Sequence, residues 1–367
     1  MRVLHCIPTL GEGGSELQLA YLASAQARTG MEVHVAVTQE GSRSERLRVS
    51  GVRLHPLRPR SSHDPLMLWR MVRLVSRLRP SIVQTWLRQM DVLGGLAARF
   101  TRTPWVLTER SSGGAHTPGV KNALRAALAK GSDAIVSNSQ GGDAYWSSRV
   151  DPRVRRWVIP NAVPVSEIVA AVPAADDEVR LPAGHRMVLA AGRLSPEKNL
   201  ANLIRALRIV APVVPVVGCL CGAGPSEPEL RRVVVAEGLD RNVRLPGFVP
   251  SIWGWMKRAA SFVSVSLFEG QPNAVLEATA AGCPLVLSEI PAHRELFDER
   301  SAVFVDPRSS ESIAKGLMRC LGRPEESAAR AERARRSISG RSVEETMRLY
   351  GGVYQSLVGE DCAAAGP

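Results

Sequence analysis

Short runs of Val, Ile and Leu, each bounded by glycine, proline or polar residues, alternate along this chain with longer stretches whose apolar positions fall three and four apart. Continuous apolar runs mark strands buried on both faces, the habit of parallel sheets covered by helices. The pattern predicts strands at 2–8, 32–37, 52–57, 82–86, 105–108 and 134–137, with helices over 15–26, 66–78, 92–100 and 121–128 between them. From 166 to 184 the chain is rich in Ala, Val, Pro and acidic residues without a period, and reads as a linker. The alternation then restarts, with strands at 187–191, 213–220, 243, 261–266, 285–287 and 303–305, and helices over 200–210, 227–237, 274–281 and 343–357. The expected class is α/β, two doubly wound Rossmann-like domains facing across a cleft, with ligand at the carboxyl ends of the strands. The expected boundaries are a first domain at 1–168, a linker at 169–184, a second domain at 185–340, and a terminal helix and tail at 341–367.

Length and composition narrow the class. A chain of 367 residues suits two domains with a core each. No uninterrupted apolar stretch of about 18 residues occurs, so no membrane-spanning helix is expected. The first residues read as a strand rather than a signal peptide, and a cytoplasmic location is expected. Six cysteines without CxxC spacing suit buried thiols better than a metal site. The net charge of +12 is uneven: residues 1–170 hold 23 Lys and Arg against 12 Asp and Glu, whereas residues 171–367 hold 24 against 23. Much of the excess lies between Arg43 and Arg79, interleaved with Leu66, Met67, Leu68, Trp69, Met71 and Leu74. Nucleic acid, an anionic membrane surface and an acidic substrate all suit such a half, as does an arginine-rich solvated face. A helix-turn-helix, zinc or RNA-recognition signature is missing, and four tyrosines offer little stacking, so a nucleic-acid-binding protein is the weaker alternative and no nucleic-acid partner is expected.

The densest chemistry lies in Phe268-Glu269-Gly270-Gln271-Pro272-Asn273-Ala274-Val275-Leu276-Glu277-Ala278. It follows a buried-strand pattern and opens an alanine-rich helix, with Pro272 at the first turn, Glu269 in the loop and Glu277 about two turns in. The N–H groups near Asn273, Ala274 and Val275 attract anions, phosphate above all. Two carboxylates beside an anion site suit a ligand with hydroxyls and phosphates, a sugar nucleotide. Arg193 and Lys198, five residues apart after a predicted strand, can converge on one diphosphate. Gly13-Gly14 follows the first strand and lets backbone N–H groups approach phosphate.

Together these stretches resemble the retaining GT-B glycosyltransferases of group 1 (family 4-like). The Glu269–Glu277 string resembles their E-x7-E signature, Arg193 to Lys198 their G-R-x-x-x-x-K motif, and Gly13-Gly14 their N-terminal glycine loop. Cys221-Gly222-Ala223-Gly224-Pro225 resembles their G-x-G-P stretch, and Gly247-Phe248-Val249 their base-binding loop. With Ser137-Asn138-Ser139 and Ile159-Pro160-Asn161-Ala162 added, the likeness covers most of the chain. It implies a retaining hexosyltransferase that moves sugar from a nucleotide-diphospho-sugar, a UDP-sugar, to a hydroxyl acceptor, a lipid-linked or cell-surface glycan precursor. Residues Gly13, Gly14, Gly247, Phe248, Gln271, Pro272, Asn273, Ala274, Val275 and Glu277 would hold the donor, and Glu269, Arg193 and Lys198 would act at the reacting sugar and leaving diphosphate. No cofactor and no metal are implied; a D-x-D dyad is absent, and Asp176-Asp177 falls in the linker. Polysaccharide assembly on the inner face of the plasma membrane, with peripheral attachment there, fits the basic first half. The sequence departs from the family where many members carry a histidine after a strand of the first domain: here it reads Thr108-Glu109-Arg110, with His116 six residues further on. Glu109 and Arg110 are the expected replacements. A GT-B-type sugar-nucleotide epimerase is the enzyme alternative.

Overall fold

A computed structural model describes residues 1–60, 64, 66–111 and 119–359, apart from the side chain of Lys121. The chain divides into two compact units: Met1–Ala162 together with the chain from Arg341 onward, and Val163–Gly340. In the first, strands β1 (Arg2–Thr9), β2 (Glu32–Gln39), β3 (Arg53–Pro56), β4 (Ile82–Trp86), β5 (Trp105–Glu109), β6 (Ala134–Ser137) and β7 (Arg155–Val158) form one sheet ordered β3-β2-β1-β4-β5-β6-β7. All its pairings are parallel, Val3 standing opposite Val33 on one side and Ile82 on the other. In the second unit, β8 (Arg186–Ala191), β9 (Val216–Cys221), β10 (Val243–Gly247), β11 (Ser261–Ser264), β12 (Leu285–Ser288) and β13 (Val303–Val305) form a parallel sheet ordered β10-β9-β8-β11-β12-β13. This is the expected α/β class with two doubly wound sheets. Each sheet carries an apolar cluster on either face, which is why its strands read as continuous Val/Ile/Leu runs.

The stretch expected as a linker is built into the second unit. It forms the short helices Val165–Ala170 and Asp176–Val179, and it buries Ile168, Ala174 and Val179 in that unit's core. Single apolar residues separated by exposed turns bury without leaving a period in the sequence. Trp255 Nε1 donates to Glu178 Oε1 at 2.8 Å and the Ala174 N–H to the Gly254 carbonyl at 3.0 Å, fixing the stretch in place.

The last helix, Val343–Val358, packs on Gly14–Arg28 in the first unit. Ser342 caps it, accepting from the Glu345 N–H at 3.1 Å. Its buried Tyr354 hydroxyl donates to Gln84 Oε1 and accepts from Gln26 Nε2 at 3.2 Å. Gln26 Oε1 lies 2.8 Å from His5 Nε2, and Trp86 Nε1 donates to His5 Nδ1 at 3.2 Å. The imidazole therefore carries its proton on Nε2 and is neutral. Complete burial pushes its pKa down to about 4, against a smaller upward pull from Gln26.

That displacement fixes a sign. Unfolded, His5 takes a proton at a higher pH than it does folded, so the stability gained by keeping it neutral is present above about pH 6.5 and drains away as pH falls toward 4. Urea unfolding at pH 7 and at pH 4.5 should show the His5→Gln variant losing less stability than the parent chain, by on the order of 2–3 kcal/mol. Equal acid losses in the two proteins would show that His5 does not drive the effect.

Candidate active site

In the second unit, strand order reverses between β8 and β11, so the loops at their carboxyl ends part and leave a crevice between them. The loop after β8 carries Arg193 and Lys198; the loop after β11 carries Glu269. Backbone packing sets the first of these loops. Gly192 donates to the Cys221 carbonyl and Leu194 to that of Ala223, both at 3.0 Å. A Cβ on Gly222 would lie 1.8 Å from the Gly192 oxygen, and one on Gly224 2.2 Å from the Leu194 oxygen. Gly222 also holds a left-handed φ of 135°. Glycine at both positions lets the loop after β9 lie directly on the loop after β8.

The β8 loop is then tied to β11. Asn199, left-handed at φ 56°, donates through Nδ2 to the carbonyls of Val265 (3.2 Å) and Pro307 (2.6 Å), and Leu267 donates to the Glu197 carbonyl at 2.8 Å. These ties bring Lys198 Nζ to 2.5 Å from Glu269 Oε1, which also accepts from Ser266 Oγ at 2.7 Å. Among the described residues, Glu269 Oε2 and the exposed guanidinium of Arg193 have no partner. The site thus presents one unpaired cation, one half of a paired carboxylate and a lysine.

The adjoining helix runs from Asn273 to Ala280, so Pro272 stands at its N-cap rather than in its first turn. Proline has no side-chain acceptor to cap the helix, and the positive end of the dipole stays directed at the crevice. Glu277 lies little more than one turn in, not two; Trp253 Nε1 donates to its Oε2 at 3.3 Å. Val275 and Pro272 are buried, while Gln271, Asn273 and Ala274 are half-buried. Gly247 ends β10 in a left-handed turn at φ 80°, its carbonyl accepting from Gly222, and Phe248 beyond it is exposed.

In the first unit the order reverses between β1 and β4. Gly13 caps the helix Gly14–Arg28 at the end of β1, and Glu16 turns back over it to accept from Thr9 Oγ1 at 2.8 Å. Arg110 lies over the Trp86 ring at 4.5 Å and donates to Asn161 Oδ1 at 2.9 Å and to the Tyr350 hydroxyl at 3.4 Å. Glu109 behaves differently from its expected role. It is 1% exposed; Oε1 accepts from the Ser111 N–H at 2.8 Å, and Oε2 from Arg125 Nη1 at 2.8 Å and Trp146 Nε1 at 3.0 Å. Both oxygens are hydrogen-bonded inside the unit, so this carboxylate braces the strand end. His116, the other candidate there, lies outside the described residues.

Three residues escaped the sequence reading. Asp91 and Arg125 complete the pairing with Glu109: Arg125 Nε donates to Asp91 Oδ2 at 2.6 Å, and Thr85 Oγ1 to Asp91 Oδ1 at 2.7 Å. Burial raises the Asp91 pKa, opposed by Arg125; burial also works against the Arg125 charge, but the two carboxylates outweigh it and hold the guanidinium protonated. A charged residue at a core-facing position of an Ala/Leu helix was the signal available for Arg125. The third is His293, fully buried near Glu269. Among the described residues no three His, Cys, Asp or Glu side chains gather as a metal site would require.

Two parallel, doubly wound sheets with this strand order are the architecture of the GT-B fold. HepE of Anabaena, solved with UDP and glucose, matches 97% of this chain and 100% of its own at a TM-score of 0.86 and 20% identity. Residues 185–323 match the glycosyl transferases group 1 family and residues 12–167 match glycosyltransferase family 4. The chain belongs to the group 1 glycosyltransferases. It is 28% identical over 193 residues to the N-acetylgalactosamine-N,N'-diacetylbacillosaminyl-diphospho-undecaprenol 4-alpha-N-acetylgalactosaminyltransferase of Campylobacter jejuni, a match covering 52% of this chain and about half (51%) of that relative. It is 25% identical over 340 residues to the D-inositol 3-phosphate glycosyltransferase of an Arthrobacter species, covering 83% and 81%.

The Asp91–Arg125–Glu109 cluster makes a direct prediction. Arg125→Met keeps the aliphatic stem but leaves two buried carboxylates facing each other, and should cost about 3–5 kcal/mol in urea unfolding. A loss under about 1 kcal/mol would mean that water or a neighbour already compensates the pair.

Proposed function

We propose that this protein transfers a hexosyl unit from a UDP-sugar to a hydroxyl of a lipid-linked glycan precursor, with retention at the anomeric carbon and without a metal ion. The observation that carries the reading is the unpaired Arg193 beside the Lys198–Glu269 pair at the β8/β11 switch point, next to a helix start. Departure of a diphosphate concentrates negative charge, which Arg193, Lys198 and the N–H groups of Asn273, Ala274 and Val275 are suited to take up. The Glu277 carboxylate, steadied by the Trp253 indole, would accept from the ribose hydroxyls, with Gln271 and the turn at Gly247 and Phe248 completing the nucleotide side. Glu269 Oε2 would meet the sugar, where a carboxylate favours oxocarbenium character. In the first unit, Gly13 and Gly14 are assigned to the donor phosphate and Arg110 to the sugar side, with Glu109 bracing the end of β5 beside Arg110. The HepE structures hold UDP or UDP-glucose, which supports a UDP-sugar donor, and the Campylobacter relative's name specifies a diphospho-undecaprenol acceptor.

A membrane-borne acceptor accords with the helix Leu66–Leu78. It buries Met67, Met71, Leu74 and Val75 but leaves Leu66 and Trp69 44% and 57% exposed, with the Arg73 guanidinium 5.2 Å from the Trp69 ring centroid. Arg73 and Arg77 are exposed, whereas Arg70 is occupied by the carbonyls of Leu57 and Arg58. An exposed indole among arginines suits anionic headgroups, at about 1 kcal/mol per cation. No helix among the described residues is long and apolar enough to cross a membrane.

A screen of labelled nucleotide sugars should find one UDP-sugar hydrolysed or transferred, with activity unchanged in EDTA. Arg193→Ala or Lys198→Ala should lower turnover at least ~10²-fold, and Glu277→Gln should weaken UDP binding in calorimetry by about 1.5–3 kcal/mol. Loss of activity on chelation, restored by Mg²⁺, would overturn the metal-free mechanism.

Sedimentation with anionic liposomes should be strong at low salt and fade as ionic strength rises. Arg73→Glu with Arg77→Glu should abolish it while leaving UDP affinity intact. No sedimentation at low salt would point to an acceptor away from membranes.

A further inference from the structure

His293 is completely buried on the four-residue helix Pro291–Arg294 that follows β12. Its Nδ1 lies 2.9 Å from the Ser288 carbonyl and 3.2 Å from Ser288 Oγ. The Ser288 hydroxyl itself donates to the Ser266 carbonyl at 2.7 Å, so the imidazole proton sits on Nδ1 and is given to Ser288. That leaves Nε2 as an acceptor, 3.4 Å from Ser264 Oγ. Ser264 Oγ is 3.5 Å from Ser266 Oγ, whose hydroxyl donates to Glu269 Oε1. Proton by proton the order is consistent: Ser264 donates to the imidazole, the imidazole to Ser288, Ser288 to the Ser266 carbonyl and Ser266 to Glu269. Burial lowers the imidazole pKa despite the Ser288 bond, which keeps the ring neutral and this order intact.

A histidine needed only to close the turn after β12 would be satisfied by the Ser288 carbonyl alone. Here the second nitrogen takes the Ser264 proton, which leaves Ser264 only an oxygen–oxygen contact with Ser266, while the Nδ1 side runs through Ser288 to the Ser266 carbonyl; both sides therefore meet at Ser266, whose hydroxyl donates to Glu269. We propose that His293 is a positioning residue for the reaction: through Ser264, Ser288 and Ser266 it fixes the Glu269 carboxylate with Oε1 on Lys198 and Oε2 directed at the sugar. Buried hydroxyl networks of this kind set geometry because each member has a single compatible partner. The inference rests on the assignment of Glu269 to the donor sugar given above.

The test separates position from stability. Asparagine at 293 can still bond to Ser288 but is too short for Ser264, whereas glutamine reaches toward Ser264. His293→Asn should keep its thermal midpoint within a few degrees and its UDP affinity unchanged, yet lose about tenfold in kcat; His293→Gln should recover a substantial part of that loss. In a Glu269→Gln background, His293→Asn should lower kcat no further. Equal kcat in the Asn variant and the parent, or additive losses in the double variant, would overturn the proposal. A readout independent of turnover is the ¹⁵N spectrum of the His293 ring. Glu269→Gln should shift the Nε2 resonance, and Ser264→Ala with Ser266→Ala should remove that response; an unmoved resonance overturns the proposal even if no donor sugar is ever turned over.

Discussion

The site in the second unit depends on how closely two backbone loops can approach. Strands β8 and β9 are parallel neighbours, and the loops leaving them run side by side. With a side chain at Gly222 or Gly224, the loop after β9 would be pushed off the Gly192 and Leu194 carbonyls, and the β8 loop would lose its support. The ion pair between Lys198 and Glu269 follows from that packing more than it causes it. The loops on either side of the switch point each contribute one partner, and the Asn199 side chain and the Leu267 N–H hold those loops together by bonds to backbone carbonyls. A 2.5 Å contact between long, partly exposed side chains would otherwise be bought with rotamer entropy and would contribute little.

The first unit handles charge in the opposite manner. Asp91, Arg125 and Glu109 are buried together; the Trp146 indole and the Ser111 N–H donate to Glu109, the Thr85 hydroxyl donates to Asp91, and the Trp105 indole donates in turn to Thr85. A buried triad of this sort contributes little net stability, because desolvation offsets most of the Coulomb attraction. It specifies geometry: it links the helices Leu87–Thr101 and Val120–Ala129 to the end of β5, next to Arg110. Arg110 is in turn held by Asn161, Tyr350 and the face of Trp86, so the last helix of the chain helps set a side chain at the end of β5.

Much of this was legible in the sequence. The helices at 66–78 and 200–210 and the strands at 82–86, 134–137 and 303–305 coincide with the observed elements, because each is a strongly periodic or continuously apolar segment with a clear stop. Short helices such as Ser44–Val49, Gln140–Ser147 and Ile252–Arg258 were missed; at under three turns they leave too few apolar positions to set a period. The motif residues Arg193, Lys198 and Glu269 could be placed at the ends of β8 and β11, and Glu277 on the helix that follows, because their spacing around a strand end carries information by itself. The pairing of Glu109 was not legible for the converse reason. A carboxylate at a strand's carboxyl end looks the same in sequence whether it faces a ligand or is closed off by an arginine 16 residues later, and only tertiary pairing distinguishes the two.

The same distinction governs the basic charge of the first half. A count of arginines there suggests a cationic surface, but several of them are spent on the fold. Arg125 is sealed between carboxylates, Arg110 is stacked and hydrogen-bonded, Arg70 bridges the carbonyls of Leu57 and Arg58, and Arg2 pairs with Glu32. Charge consumed this way cannot attract a distant partner, because its field is cancelled or its donors are committed locally. What remains available on the helix Leu66–Leu78 is narrower than the composition implies: Arg73 and Arg77 beside an exposed Trp69. A surface of two free cations and one indole is weak as a general anion trap. At a boundary where an apolar layer meets a charged one, the setting proposed above, the indole and the guanidinium would gain at the same depth.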